Sequence, residues 1–131
     1  MRKLNNSMDR EPPFDFIFDY LLAMELEVKP FFGMFAVYAN NKLLLLLRER
    51  SNEPEKNGIW IATVGNGAET LKKDLPGSRV LFERKSRKDE WLFIPSDDDA
   101  FERSAISLCE LIVRRDSRIG RIPKPRARKR N

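Results

Sequence analysis

The sequence predicts an α+β fold, a mainly antiparallel sheet of five strands packed by an N-terminal and a C-terminal helix. Two β-hairpins and a middle strand supply the sheet, and a short helix joins strands 3 and 4. Three observations predict this fold: an apolar hairpin pattern over residues 31–47, β-branched and aromatic runs further along, and helical periodicity near both ends.

The first hairpin is centred on Asn40-Asn41 within the stretch FFGMFAVYANNKLLLLL. Asparagine tolerates the left-handed backbone angles of a two-residue type I′ turn, so this pair can reverse the chain. No polar residue interrupts residues 43–47, and we therefore expect a central strand that is buried on both faces. Gly33 is compatible with a bulge or with an ordinary strand position.

The N-terminal helix is predicted over residues 14–27, after Pro12-Pro13. Apolar residues recur there at helical spacing, in one stripe of Ile17, Leu21, Met24 and Val28 and a second of Phe14, Phe18 and Leu22. Pro30 is expected to end the helix. Residues 49–58 are polar and contain Pro54 and Gly58, which predicts a surface loop that can be mobile.

The remaining strands are predicted at residues 59–64, 79–84 and 90–94, with a turn at 65–67 and a short helix at 68–74. Residues 85–89 join the last two strands as a second hairpin. The final helix is predicted over 97–115, with Ser96 as its N-cap and three aspartates in its first turn. Its core stripe is Phe101, Ala105, Leu108 and Ile112.

Charge divides the chain into a mildly acidic body and a basic end. Residues 1–113 carry a net charge of −3, whereas residues 114–131 carry +8, so the total of +5 comes from the C-terminal part. We expect a flexible leader over 1–13, one α+β domain over 14–115, and a basic, disordered tail over 116–131. Basicity of the whole chain therefore does not predict a nucleic-acid-binding body.

Residue chemistry argues against most enzyme classes. The chain has no histidine, which removes the commonest general base and zinc ligand. Cys109, the only cysteine, excludes an intrachain disulfide, suits a reducing cytoplasm, and is interpreted as a buried packing residue rather than a reactive thiol. The run 97–99 suits helix capping better than a metal site. We expect no enzymatic activity, no catalytic residue, no metal and no cofactor.

Two groups of basic residues are candidates for contacting nucleic-acid phosphates without sequence preference. One lies at the tip of the second hairpin and the other in the tail, while ordinary solvated positions are the alternative for both. The candidates are Arg84, Lys85, Arg87, Lys88, Arg121, Lys124, Arg126, Arg128, Lys129 and Arg130. A protein-interaction or self-association domain without nucleic-acid binding, through a protein partner or a homodimer, is the competing hypothesis. No membrane partner is expected, because the longest aliphatic run is far too short to span a bilayer.

The order of elements resembles the bacterial group that includes the N-terminal domain of TfoX competence regulators and the MmcQ/YjbR proteins. Three stretches carry the resemblance: FFGMFAVYANNKLLLLL, GIWIATVGNGAETLKKDLPG and DEWLFIPSDDDAFERSAISLCELIVRR. Phe32-Gly33-Met34 stands where the TfoX type usually has Met-Phe-Gly-Gly, and no second TfoX domain follows. The resemblance implies a small α+β domain without catalytic residues or cofactor, a regulatory role, and DNA contact through hairpin wings. Only the hairpin-tip residues Arg84, Lys85, Arg87 and Lys88 match a wing, by position.

Overall fold

The computed structural model describes residues 11–82 and 90–122. Within them the chain forms one antiparallel sheet of six strands, in the order β1-β2-β3-β4-β6-β5, which confirms the α+β class and adds one strand to the five predicted. The strands are β1 (Glu27–Phe31), β2 (Met34–Ala39), β3 (Lys42–Arg48), β4 (Gly58–Ala62), β5 (Arg79–Phe82) and β6 (Glu90–Pro95). The α-helices are α1 (Gly67–Leu71) and α2 (Phe101–Val113), and 3₁₀ helices cover Asp15–Tyr20, Pro54–Lys56 and Lys72–Asp74.

The predicted N-terminal helix over residues 14–27 is wrong in extent. Only Asp15–Tyr20 is helical, as a 3₁₀ helix, and the chain then forms the edge strand β1. Proline restricts the preceding residue to extended conformations and is tolerated at a sheet edge, so Pro30 fits a strand rather than a helix end. Pairing of β1 with β2 outweighs the helical periodicity. The first half of the pattern still supplies the core residues Ile17 and Leu21.

The hairpin predicted at residues 40–41 is confirmed. Asn40 and Asn41 have φ of 51° and 66°, the left-handed values that a tight reversal between β2 and β3 requires. β3 lies between β2 and β4, and residues 44–47 of the predicted run 43–47 are buried, whereas Leu43 at its start is half-buried. The register shifts by one residue opposite Val37 and Tyr38, a β-bulge that turns the adjacent Leu44 and Leu45 toward the same face.

The sheet has two differently covered faces. On the first face, the helices pack over the main core, where Leu45, Ile61 and Leu92 meet Leu71 and Leu108. On the opposite side lies what we call the second face, a smaller cluster to which no described helix contributes. The residues of the second face are Phe31, Met34, Ala36, Tyr38, Leu43, Leu46, Trp60, Ala62, Leu81 and Trp91.

Helix α2 begins later than its sequence suggested. It runs from Phe101 to Val113 rather than over 97–115, and the predicted Ser96 N-cap is wrong. The residues before it form turns in which Asp98 Oδ1 accepts a hydrogen bond from the Ala100 amide at 2.8 Å. A short polar side chain competes well for backbone amides in a turn, which holds this segment outside the helix. Among the described elements, none is a helix with the length and apolar character needed to cross a membrane.

The C-terminal boundary predicted at residue 115 also needs correction, because residues 116–122 pack onto the sheet. β3 and β4 separate beyond the Leu45–Ile61 pair, and the C-terminal segment enters between them. Arg121 exchanges both backbone hydrogen bonds with Leu43 at 2.9 Å, and the Gly120 amide donates to the Ala62 carbonyl at 2.8 Å. Buried Ile119 contributes to the core, so this part of the predicted disordered tail belongs to the domain.

Candidate functional site

Of the ten basic residues predicted to contact nucleic acid, Arg121 is the one that falls inside the described residues. The hairpin-tip candidates Arg84, Lys85, Arg87 and Lys88 lie within 83–89, outside the described residues. The tail candidates Lys124, Arg126, Arg128, Lys129 and Arg130 lie within 123–131, also outside them. For these nine residues the interface stays a prediction.

The backbone pairing of Arg121 with Leu43 directs the Arg121 side chain to the second face. There its guanidinium lies over the indole ring of Trp91, 4.6 Å from the ring centroid. Nε also donates to the Thr63 carbonyl at 3.0 Å. A guanidinium over an indole gains about 0.5–2 kcal/mol, so Arg121 is held by the sheet and not merely solvated.

An ion-pair cluster fixes the start of the same segment. Arg118 donates to Asp116 Oδ1 and Oδ2 at 2.9 and 2.8 Å, and to Asp74 Oδ2 at 3.0 Å. The side-chain hydrogen bonds from Arg118 lower the pKa of Asp116 to about 2, from an ordinary value near 3.8. The pKa of the Arg118 guanidinium is correspondingly raised. The Arg118–Asp74 ion pair links the C-terminal segment to the 3₁₀ helix Lys72–Asp74. The segment is therefore held at Arg118 as well as at Arg121.

A groove of about 380 Å³ opens on the second face beside the loop 49–57. Leu46 and Leu43 of β3 lie among its apolar residues, and aromatic rings come from β1, β4 and β6. Its full lining is Phe31, Met34, Leu43, Leu46, Arg48, Arg50, Asn52, Glu53, Lys56, Trp60 and Trp91. The lining thus combines three aromatic rings with three cationic side chains and one carboxylate.

The two tryptophans set the aromatic character of this face. Their ring centroids are 6.2 Å apart at an interplanar angle of 74°, and the Trp60 ring also lies 5.3 Å from that of Phe93. The Trp60 Nε1 donates to the Lys56 carbonyl at 3.1 Å, which fixes the indole against the loop. Sequence pattern alone could not distinguish core packing from a binding surface for these rings. The structure places Trp60 half-buried at the groove, with Trp91 7% exposed beside it.

A buried arginine holds the wall of the groove. The Arg48 guanidinium donates to the Glu53 and Asn52 carbonyls at 2.9 Å each, and to Asn57 Oδ1 at 2.7 Å. Asn57 in turn closes the loop by bonding both the amide and the carbonyl of Arg50 at 2.8 and 2.9 Å. The sequence predicted residues 49–58 as a loop that can be mobile and did not predict this network. The position of Arg48 could have indicated this network, because a charged residue there directly continues a doubly buried strand.

The outer end of the groove depends on Gly33 and Arg50. The Arg50 side chain packs over Gly33, where a Cβ would come within 2.9 Å of Nη1, and φ at Gly33 is +82°. Arg50 is solvent-exposed, and none of the described carboxylates forms an ion pair with it. By contrast, Lys56 pairs with Glu53 at 2.5 Å. Arg50 is therefore the groove cation best placed to meet an external anion.

The structure also explains two other candidates from the sequence, the Cys109 thiol and the aspartates of residues 97–99. Burial of Cys109 in α2 raises the pKa of its thiol to about 12, and Sγ contacts the Ile17 carbonyl at 3.7 Å. A neutral buried thiol is a poor nucleophile, in agreement with the packing role. Asp97 and Asp99 are exposed, and the described part of the chain holds no cluster of three or more residues suited to a metal ion.

Comparison with known proteins adds no assignment: no family model, no curated protein and no solved structure matches the chain. The resemblance to the TfoX and MmcQ/YjbR group therefore stays a prediction.

Proposed function

We propose that the chain is a non-enzymatic binding module with a regulatory role, acting in the cytoplasm and contacting nucleic-acid phosphates through its cationic C-terminal region. The main observation that supports this proposal is the anchoring of Arg121 to the sheet. Its backbone pairs with Leu43 and its guanidinium covers Trp91, so the folded domain holds the chain just before its last cluster of basic residues. That cluster is Lys124, Arg126, Arg128, Lys129 and Arg130.

Charge density supports this assignment. Five cations within seven residues are sufficient for salt-dependent, sequence-independent contact with a phosphate backbone. The acidic body restricts such contact to local patches, because its net charge repels a polyanion at longer range. The predicted hairpin-tip cations Arg84, Lys85, Arg87 and Lys88 supply a second such patch in the proposal.

A salt titration with labelled duplex and single-stranded oligonucleotides tests the proposal. We expect micromolar or tighter binding that weakens with salt, and five phosphate contacts on a duplex correspond to a slope of about −4.5 in log K against log salt. Replacing the five tail cations by glutamine should remove most of that slope. Replacing exposed Lys72 and Lys73 by glutamine is the matched control and should leave the slope unchanged. Absence of binding at low salt would refute the proposal.

A protein-interaction or self-association role is the second candidate. This hypothesis was motivated by the need to cover both faces of residues 43–47; within a single chain residues 44–47 are already buried, and Leu43 is half-buried. What favours it is Phe32, which is 82% exposed in the turn between β1 and β2 and has a left-handed φ of 49°. An exposed aromatic at a strained turn is a typical interaction anchor. Light scattering at high concentration tests self-association, and a strict monomer with or without Phe32→Ser would exclude it.

A further inference from the structure

We infer that the groove on the second face binds an unstacked base of a single-stranded nucleic acid, with Arg50 meeting the adjoining phosphate. This inference rests on the proposed function and deepens it, because it assigns strand preference to a site separate from the basic tail. It predicts that the folded domain, not only its cationic end, distinguishes single strands from duplexes.

The volume and lining of the groove fit an aromatic ligand. Its volume of about 380 Å³ is near the lower end of the range for small-molecule sites. Phe31, Trp60 and Trp91 enter it from three different strands, β1, β4 and β6. Aromatic side chains on an open antiparallel sheet are the usual platform for splayed bases, since every base has a face that can stack.

Charge complementarity favours a phosphate-bearing ligand over an uncharged one. Arg48 directs its guanidinium to three acceptors of the loop, and Lys56 is neutralised by Glu53. Arg50 adds a positive charge at the exposed end of the same groove. Positive charge beside aromatic rings is the combination that single-strand-binding surfaces use. An acidic peptide would use the same charge but would gain little from the half-buried rings of Phe31 and Trp60, and it is one outcome of the titration.

The site is organised before any ligand arrives. Arg48 and Asn57 hold the loop, and the Lys56 carbonyl occupies the Trp60 N–H, so the indole is available through its ring and not through its donor. A rigid site loses less conformational entropy on binding than a flexible one. A base inside a duplex cannot reach such a recessed wall without leaving its stack, so the groove should select single strands.

Intrinsic fluorescence gives a direct assay, because both tryptophans of the chain belong to the second face. The full chain is titrated with a 12-nucleotide oligo-dT strand, with the same strand in duplex form, and with a poly-glutamate peptide. We expect quenching by the single strand and an affinity at least about tenfold above that for the duplex. Equal affinities, or saturation by poly-glutamate without any effect of the oligonucleotide, would overturn the inference.

Variants separate the groove from the tail. Trp60→Leu should weaken single-strand binding roughly 5- to 150-fold, which corresponds to losing one base–aromatic stack, while leaving duplex binding unchanged. Arg50→Gln, at an exposed position, should weaken it several-fold and reduce the single-strand salt slope by about 0.7. Circular dichroism verifies that each variant is folded. If Trp60→Leu does not fold, Arg50→Gln still tests whether the groove binds the single strand. Arg79→Gln, at an exposed position of β5 outside the groove lining, is the matched control.

These variants distinguish failure of the groove inference from failure of the proposed function. If the tail variant loses all binding and the Trp60 and Arg50 variants bind normally, the groove inference is wrong while the proposed function stands. If the tail variant retains its single-strand preference with lower overall affinity, the groove inference is supported. If neither nucleic acid binds at low salt, both are wrong.

Discussion

The guanidinium of Arg121 lies 4.6 Å from the centroid of the Trp91 ring, which joins the C-terminal segment to the face of the sheet that carries no described helix. The contact connects the basic C-terminal part of the sequence with the face of the sheet that holds both tryptophans. Since residues 119–121 also pair with separated ends of β3 and β4, the contact belongs to the sheet and is not an incidental surface approach.

A double-mutant cycle at Arg121 and Trp91 measures this contact. We expect Arg121→Met and Trp91→Leu each to lower the free energy of unfolding, with a coupling of about 0.5–2 kcal/mol between them. Urea denaturation followed by far-UV circular dichroism provides the four values. Arg114→Met, at an exposed position after α2, is the control and should show no coupling to Trp91→Leu. Strict additivity of Arg121→Met and Trp91→Leu would contradict the assigned contact.

Stability should depend on pH through Asp116. Its folded pKa of about 2 lies below the ordinary value, so its ion pair with Arg118 stabilises the fold fully above about pH 4. That stabilisation is lost as pH falls from about 4 toward 2, and solvent screening limits it to about 1 kcal/mol. Asp116→Asn should therefore be less stable than wild type at pH 7 but nearly equal at pH 2. Denaturation at both pH values checks this, with exposed Asp99→Asn as control; a constant difference between wild type and Asp116→Asn would contradict it.

The Arg48 network should be the main support of the groove wall. Arg48→Met keeps much of the apolar stem but removes hydrogen bonds to the Asn52 and Glu53 carbonyls and to Asn57. Hydrogen bonds from a charged group contribute about 1.5–3 kcal/mol each, and partial rehydration should leave a net loss of about 2–4 kcal/mol. Hydrogen exchange should accelerate selectively at the Arg50 and Asn57 amides. Lys73→Met, at an exposed position, is the reference variant. Unchanged exchange at the Arg50 and Asn57 amides in Arg48→Met would show that the loop does not need Arg48.

Gly58 should tolerate no side chain. Its φ is +150°, and a Cβ would overlap the Ile94 carbonyl of the neighbouring strand. Combined steric overlap and backbone strain should lower the free energy of unfolding of Gly58→Ala by about 3 kcal/mol or more. Gly65 provides the matched comparison: its φ is also positive, at +58°, but nothing lies within 4 Å of the position that an alanine Cβ would occupy, so Gly65→Ala should lose only about 1 kcal/mol. Similar losses for both variants would contradict this packing at the β4–β6 pair.

The sequence predicted the parts of the fold that local chemistry determines. The Asn40-Asn41 turn and the doubly buried leucine run follow from backbone preferences and an unbroken apolar pattern. The region before residue 31 was mispredicted because its helical periodicity competes with strand pairing to β2. This pairing is a long-range interaction, which a local sequence pattern does not show. The position of Leu44 likewise depends on a bulge that only pairing reveals.

The candidate site was harder to predict, since it is assembled from residues far apart in sequence. Arg121 was selected for its charge alone, yet its location depends on pairing with Leu43 and on the Trp91 ring. Arg48 and Arg50 were absent from the prediction, because a loop rich in charged residues normally indicates solvent exposure. Their roles depend on Asn57 and Gly33, contacts that arise only once β2, β3 and β4 are paired.

Chemical-shift mapping of the isotope-labelled full chain with the 12-nucleotide single strand tests most directly whether the second face binds nucleic acid. We expect the largest backbone amide shifts on the second face and its loop, at Leu46, Arg50, Trp60 and Arg121. Shifts confined to the tail residues 123–131 or to the helix-covered face, such as Leu71 and Leu108, or no shifts at low salt, would contradict it.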